Sequence, residues 1–267
     1  MENLPKISII TPSFNQAQFL EKTILSVLNQ NYPNLEYIIV DGGSTDGSVQ
    51  IIKKYEDKLK WWVSERDDGQ VAAINKGLQR ATGTWVGWQN SDDIYLKNTL
   101  NDLSTEIKKN HEVGLIIADM LLIDDQDRPI RDVRYVKPTY KSFLVEGMVL
   151  CNQSAFWLND LHKKIGFLNE NYQYSFDFDW FLRLLKNTDA GHVPRIWGGF
   201  RKYKNTKTYL NKDNFTQENI AIVNENKVSS WEKNFFRVRR FFLLLLNFQF
   251  RYVLRGLVIF FFNLKIK

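Results

Sequence analysis

The sequence predicts an α/β fold: a mostly parallel central sheet with helices on both faces, followed by an amphipathic helical tail at the C-terminus. Three observations carry this expectation. Short β-branched runs alternate with helix-period stretches through the first hundred residues, each such run ends in a polar cluster, and the excess positive charge is confined to the last segment. A length of 267 residues suits one large domain or two small ones. With 44% hydrophobic and 25% charged residues, the chain is neither disordered nor of low complexity.

Taken in order, Lys6 to Thr11 (KISIIT) reads as a buried strand closed by Pro12. Ala17 to Asn29 places Leu20, Ile24, Val27 and Leu28 at helical spacing and stops before Tyr32-Pro33. Leu35 to Val40 (LEYIIV) is a second strand, ending in Asp41-Gly42-Gly43-Ser44-Thr45-Asp46-Gly47-Ser48, where Gly permits tight turns and Ser or Asp can cap a helix. Val49, Ile52 and Tyr55 form the inner face of that helix. Leu59 to Ser64 is a third strand, Val71 to Ala81 a third helix, and Thr84 to Gln89 a fourth strand. In parallel sheets of this kind ligands bind beyond the carboxyl ends of the strands. The four polar clusters, Thr11–Asn15, Asp41–Ser48, Glu65–Gln70 and Asn90–Asp93, all stand at such ends and can build one site.

Each cluster carries alternatives. Asn90-Ser91-Asp92-Asp93 offers oxygen ligands to Mg²⁺ or Mn²⁺ bridging a diphosphate, or its acids merely cap the helix that follows. Asp41 accepts a hydrogen bond from a nucleobase or ribose, opens the glycine loop as a turn residue, or does both. Neither a P-loop nor a dinucleotide fingerprint occurs in the chain, so phosphate charge must be neutralised otherwise, which favours a metal. Further on, Val113 to Ile123 and Cys151 to Leu158 read as strands, with a charged hairpin over Asp124 to Pro138. In the stretch from Tyr174 to Leu184, a helix buries Trp180, Phe181, Leu184 and Leu185 and leaves Asp177 at its start, where a carboxylate is electrostatically favoured. The lone Cys151 reads as a buried structural thiol and His192 as a packed strand residue.

The runs ISIITPSFNQAQFLEKTILSVLNQNYPNLEYIIVDGGSTDGS and SERDDGQVAAINKGLQRATGTWVGWQNSDD closely resemble the family 2 glycosyltransferases of the GT-A fold, at motif level over Lys6 to Asp93 and more loosely to Tyr209. The resemblance implies a nucleotide-sugar donor, commonly a UDP-sugar, bound with Mn²⁺ or Mg²⁺. By it, Thr11, Pro12 and Asn15 line the nucleotide pocket, Asp41 meets the base, Asp68 with Gly69 closes over it, and Asn90-Ser91-Asp92 occupies the Asp-x-Asp position with Asp92 on the metal. It also implies that Asp177 is the general base, although Phe176 stands where the family has Glu; Asp179 is the alternative. Asp93, Gln153 and Trp157 are further candidates for the acceptor side. A family Arg-x-His stretch is matched by Arg201-Lys202-Tyr203, with Tyr in place of His.

The net charge of +6 is unevenly spread: Trp231 to Lys267 carries +7 and the rest −1. Because the basic residues are interleaved with Phe and Leu, this reads as a membrane-surface signal and no nucleic-acid partner is expected. Within Phe241 to Phe260 the cost of Arg251 and Arg255 offsets the apolar gain, and Arg240, Asn247, Arg251 and Arg255 fall in one polar stripe. The tail should therefore lie on an anionic bilayer with its arginines on the headgroups rather than span it. The start, MENLPKISIITPSFN, lacks the apolar run of a signal peptide. The expectation is a GT-A domain over 1–230, divided into a nucleotide half 1–93 and an acceptor half 94–210, with a membrane-associating tail 231–267. Its function would be metal-dependent, inverting transfer of a sugar to a lipid-linked or polysaccharide acceptor at the inner face of the cytoplasmic membrane; the alternative is a non-catalytic nucleotide-sugar-binding scaffold.

Overall fold

The computed structural model describes residues 4–204, 206–224, 230–247, 249–250 and 252–256. Arg251 and 257–267, on which part of the tail expectation rests, lie outside them. The chain opens with β1 (Ile7–Ser13), α1 (Ala17–Leu28), β2 (Leu35–Asp41), α2 (Ser48–Lys54), β3 (Trp61–Ser64), α3 (Gln70–Arg80) and β4 (Trp85–Trp88). It continues through β5 (Ile94–Tyr95), α4 (Thr99–Lys109), β6 (Leu115–Ile123), β7 (Pro129–Val133), α5 (Tyr140–Glu146), β8 (Ala155–Leu158) and α6 (Asn159–Ile165). Last come α7 (Phe176–Asn187), β9 (Ala190–Arg201), α8 (Lys207–Leu210), α9 (Lys212–Asn224) and α10 (Ser230–Leu246).

One sheet runs in the order β3-β2-β1-β4-β8-β6-β9-β5, with β7 paired to β6. The first four strands are mutually parallel, as the alternation of strand and helix predicts. Beyond β4 the sheet is mixed: β8 runs antiparallel to both β4 and β6, β9 returns parallel to β6, and β5 closes the edge antiparallel to β9. The parallel expectation thus holds for the first half, where every crossover contains a helix. It fails in the second, where β6 and β7 form a hairpin and the helical connections join strands that are not neighbours in the sheet. The charged segment after β6 does form a hairpin, its turn held by the Asp124 amide donating to the Arg128 carbonyl at 3.0 Å. The strand expected from Cys151 starts only at Ala155, since Asn152–Ser154 form a 3₁₀ turn.

Period-2 alternation sends successive residues of one strand to opposite cores. Ile10, Ile38, Val86, Trp88 and Trp157 pack with α3, α5 and α7, whereas Ile9, Ile39, Trp85 and Phe156 pack with α1, α2 and α4. β1 is buried along its whole length, as a strand covered on both faces must be. Helix α3 lies so close to it that a Cβ on Gly77 would stand 2.4 Å from Ile10 Cγ2. At the other end of the chain, α10 is docked rather than detached, its Phe236 and Leu244 buried, the latter packed with Val136. Two arginines of the expected polar stripe are bound by the domain. Arg240 donates to the Arg134 carbonyl at 3.3 Å and Arg255 pairs with Asp132 at 2.8 Å, so the domain itself satisfies them. No described helix is long and apolar enough to cross a membrane.

Candidate active site

A cavity of about 910 Å³ opens beyond the carboxyl ends of β1 to β4 and extends to the start of α7. Its first end is built from short loops whose polar groups satisfy one another. Asp41, fully buried, accepts from the amides of Gly43 (3.1 Å) and Ser44 (2.9 Å) and from the hydroxyls of Ser44 (2.6 Å) and Ser64 (2.7 Å). Asp46 accepts from the Ala17 amide at 2.9 Å, one of the donors that the first turn of α1 leaves without a helical partner. Gly69 adopts φ +103, and its amide donates to Asp67 Oδ1 at 2.9 Å, closing the turn that starts α3. Asp67 and Arg66 both face the cavity, and burial raises the Asp67 carboxyl above its ordinary range.

After β4 the chain turns through Asn90–Asp93. Asp93 is buried and saturated: Oδ1 accepts from the Arg201 amide at 2.8 Å, and Oδ2 from Gln153 Nε2 at 2.7 Å and Asn90 Nδ2 at 3.1 Å. Asp92 presents its carboxylate to the cavity and takes the Tyr203 hydroxyl on Oδ2 at 2.9 Å. Burial raises both carboxyls, and the Asp92 charge pushes Asp93 further up. Beneath them lies Arg201, fully buried. Its Nε donates to the Asp92 carbonyl at 2.7 Å and its Nη1 to the Asp124 carbonyl at 3.0 Å; Nη1 also pairs with Asp127 at 2.6 Å, and the guanidinium stacks over Phe19. A planar five-donor cation is suited to binding several loops at once.

The far end is anchored differently. Glu218, on α9, accepts three consecutive backbone amides, Gln173 (3.0 Å), Tyr174 (2.9 Å) and Ser175 (2.7 Å), and so fixes the turn that delivers Asp177. Asp177 lies in the first turn of α7, accepts the Phe178 amide at 2.8 Å and lines the cavity. Burial pushes its carboxyl up to about 6, against the pull of the Phe178 amide and of nearby Lys207. A carboxylate with that value is mostly ionised near neutral pH yet basic enough to take a proton. Gln153 stands between the two ends. Its Nε2 is committed to Asp93, while its buried Oε1 has no hydrogen-bond partner among the described residues.

Residues 8–157 match the profile of Glycosyl transferase family 2. The chain belongs to this family. It is 30% identical over 223 residues to an uncharacterized glycosyltransferase of Rickettsia typhi, covering 78% of this chain and 68% of that one. It is 41% identical over 99 residues to the putative teichuronic acid biosynthesis glycosyltransferase TuaG of Bacillus subtilis, 36% of this chain but only 39% of that protein. The fold is similar to S. aureus TarS 1-349 in complex with UDP-GlcNAc, with a TM-score of 0.67 and 20% identity over 86% of this chain and 70% of that one. It is also similar to the mannosyltransferase PcManGT of Pyrobaculum calidifontis in complex with GDP-Man and Mn²⁺, with a TM-score of 0.62 and 16% identity over 89% and 70%.

Of the residues expected at the site of this glycosyltransferase, the cavity brings together Pro12, Gly69, Asn90, Ser91, Asp92, Asp93, Gln153 and Asp177. Others are placed elsewhere. Thr11 is buried against the Tyr37 hydroxyl at 3.0 Å, and Asn15, at φ +50, accepts the Thr45 amide at 2.9 Å. Asp41 spends its carboxylate on the glycine loop, which favours the turn role over contact with a base. Asp68 is exposed to solvent, and its neighbour Asp67 faces the cavity instead. The turn decides between them, because an Asp side chain reaches the amide two residues on. Asp93 lines the wall, but with every bond directed inward it acts as a strut and not as an acceptor contact. Trp157 is core, packed edge-on against Trp88 and Trp180. Asp179 points away from the cavity and pairs with Arg183 at 2.8 Å, one helical turn on. Sequence reasoning passed over Glu218 altogether, since nothing local marks it, and Tyr203 counted only as a missing His.

Proposed function

We propose that this chain transfers a sugar from a nucleotide-sugar, a UDP-sugar by analogy with the UDP-GlcNAc complex of TarS, to a hydroxyl of a glycan or lipid-linked acceptor, with inversion at the anomeric carbon. The observation that carries this reading is that one cavity holds Asp92 at the strand ends and Asp177 at the helix start, 85 residues apart in sequence. In it, residues 1–93 hold the nucleotide and 94–210 the acceptor.

Asp177 takes the proton of the acceptor hydroxyl. The freed oxygen attacks the anomeric carbon from the face opposite the diphosphate, the new C–O bond forms as the bond to the diphosphate breaks, and no covalent enzyme intermediate arises. Gln153 lines the cavity, and its buried Oε1, without a partner among the described residues, suits a sugar hydroxyl as its donor. Arg201 and Tyr203 hold Asp92 in place through its carbonyl and its carboxylate.

The donor set fits a divalent cation that shares the diphosphate. Asp92 supplies one carboxylate, Asp93 is already saturated, and no group of three or more His, Cys, Asp or Glu side chains that could hold a metal ion occurs among the described residues. Mg²⁺ sites commonly take one or two carboxylates and complete the shell with phosphate and water. Bound there, Mn²⁺ or Mg²⁺ would supply charge neutralisation on the leaving diphosphate.

The reading is tested by thermal shift with UDP, GDP, CMP and dTDP, each with and without Mn²⁺. Expected is a shift with UDP that depends on Mn²⁺ and is lost in Asp92→Ala; at 100 times the dissociation constant a ligand adds about 2.7 kcal/mol. Donor binding without turnover on any glycan or lipid acceptor would move the scaffold alternative ahead.

A further inference from the structure

Helix α10 presents two unlike faces. The inner face, with Phe236, Leu244 and Arg240, is committed to the domain, and Arg240 reaches the cavity wall. Outward stand Trp231, Phe235, Val238, Phe241, Phe242 and Leu246, all exposed, Trp231 to 68% and Leu246 to 71%. At about 100° per residue these six fall within roughly 140° of the helix surface, interrupted by one exposed polar residue, Asn234. An apolar strip of four turns on one helix is far more than the scattered single exposures of an ordinary surface.

We propose that this strip docks the protein on an anionic lipid bilayer. Charge selects this occupant over a second copy of the chain. Arg237, exposed, and Arg239, half-buried, border the strip on its two sides. The helix's one acid, Glu232, is turned to Lys141 at 3.4 Å, and no acid occurs from Lys233 to Lys267. A two-fold pairing of such strips would bring arginines together with no carboxylate from the helix between them, whereas phospholipid headgroups supply the missing negative charge. Trp231, at one end of the strip and edge-on to Phe235 with ring centroids 6.5 Å apart, suits the headgroup boundary. The contact is thus made by the exposed hydrophobic strip, and the arginine stripe at Arg240 and Arg255 plays no part in it. Because the opposite face of the same helix walls the cavity, docking brings the acceptor end beside the bilayer; that last step rests on the transferase reading above, and the docking itself does not.

The test is flotation of the full chain with vesicles of phosphatidylcholine containing about one quarter phosphatidylglycerol, and with phosphatidylcholine alone. The expected result is binding to the anionic vesicles that weakens as salt rises. It should fall by at least about tenfold in Phe235→Ser/Phe242→Ser and fall in Arg237→Glu, with melting temperature and nucleotide-induced shift unchanged. These surface substitutions leave the buried Phe236 and Leu244 in place, which truncation would remove. Equal binding by parent and double variant overturns the proposal, as does absence of binding by the parent. A dimer of the parent that the double variant converts to monomer also overturns it, assigning the strip to a second copy. Vesicle binding is read without turnover, so its failure leaves the transferase reading standing.

Discussion

The two ends of the cavity are held by different means. At the ends of β1 and β2 the short loops bind themselves and each other: Asp41, Ser44, Asp46 and Asn15 satisfy amides a few residues away or in the adjoining loop. The Asp92 turn after β4 leans instead on Arg201 and Tyr203. At the start of α7 the backbone relies on one distant carboxylate, Glu218, and the walls around it, such as Tyr135, Met148 and Phe176, are aromatic and apolar. A nucleotide is the constant part of a nucleotide-sugar and suits a rigid cradle. On the reading proposed above the acceptor lies at the other end, whose helices can change without disturbing the sheet. Strengthening or loosening one end should therefore leave the other recognisable.

The largest expected effect isolates the far end. Asp177→Asn should lower turnover by about 10²–10⁴-fold while the nucleotide-dependent melting shift persists; loss of that shift would mean the ends are not separable. Arg201→Ala breaks the comparison deliberately, because Arg201 ties the Asp92 loop to the β6–β7 turn. Asp127 keeps Lys22, but two carbonyls lose their donor, which should cost about 1–3 kcal/mol in urea unfolding, and nucleotide binding should fall with it. Glu36→Gln probes the sheet beneath the near end from its opposite, amino end, so stability should fall with both ends of the cavity intact. Glu36 is buried on β2 and binds Lys6 at 2.6 Å, the Ser8 hydroxyl at 2.7 Å and the Thr82 amide at 2.7 Å. Burial would raise its carboxyl, but these partners bring it down to about 2. The variant should lose about 2–3 kcal/mol. The contribution is present above the unfolded value near 4.3 and vanishes as pH falls through about 2, so parent and variant should converge in acid.

Glu218→Gln keeps the shape and removes the charge that gathers three amides. Turnover should fall by about tenfold, ~1.4 kcal/mol, with nucleotide binding intact; an unchanged rate would show that α9 does not position the base. The smallest effect is on pH. Since Asp177 must be ionised to take a proton, kcat/KM should rise with pH and level off above about 6. Its raised value also means that the native state holds this proton more firmly than the unfolded chain. Its ionisation therefore costs stability as pH climbs from about 4 to about 6, and Asp177→Asn should melt higher than the parent above that range.

Much of the near end was legible in sequence because period and punctuation agree there. Ile9 and Ile10 sort to opposite cores, Ile24 and Val27 repeat at helical spacing, and Gly and Asp mark each turn. One error, Asp68 for Asp67, is a single-residue choice that depends on which side chain reaches the Gly69 amide. In the second half consecutive strands are mostly not neighbours in the sheet, which no local pattern announces, and Trp157 looks alike in a core or at an acceptor site until its neighbours are known. Glu218 belongs to a helix with little amphipathic character whose purpose is set by a loop 43 residues earlier. Tyr203 was visible as a departure from the family. Only its 2.9 Å bond to Asp92 turns the departure into a part.

The clamp by Glu218 also orders events during synthesis. The strands and loops of the nucleotide half are complete once residue 93 has left the ribosome tunnel, and Asp177 follows 84 residues later. Yet the amides before Asp177 obtain their carboxylate only when α9 emerges, and the Asp92 loop obtains its ties only with Arg201 and Tyr203. Both ends of the cavity are therefore closed by the segment that follows Asp177, and neither is finished long before the other.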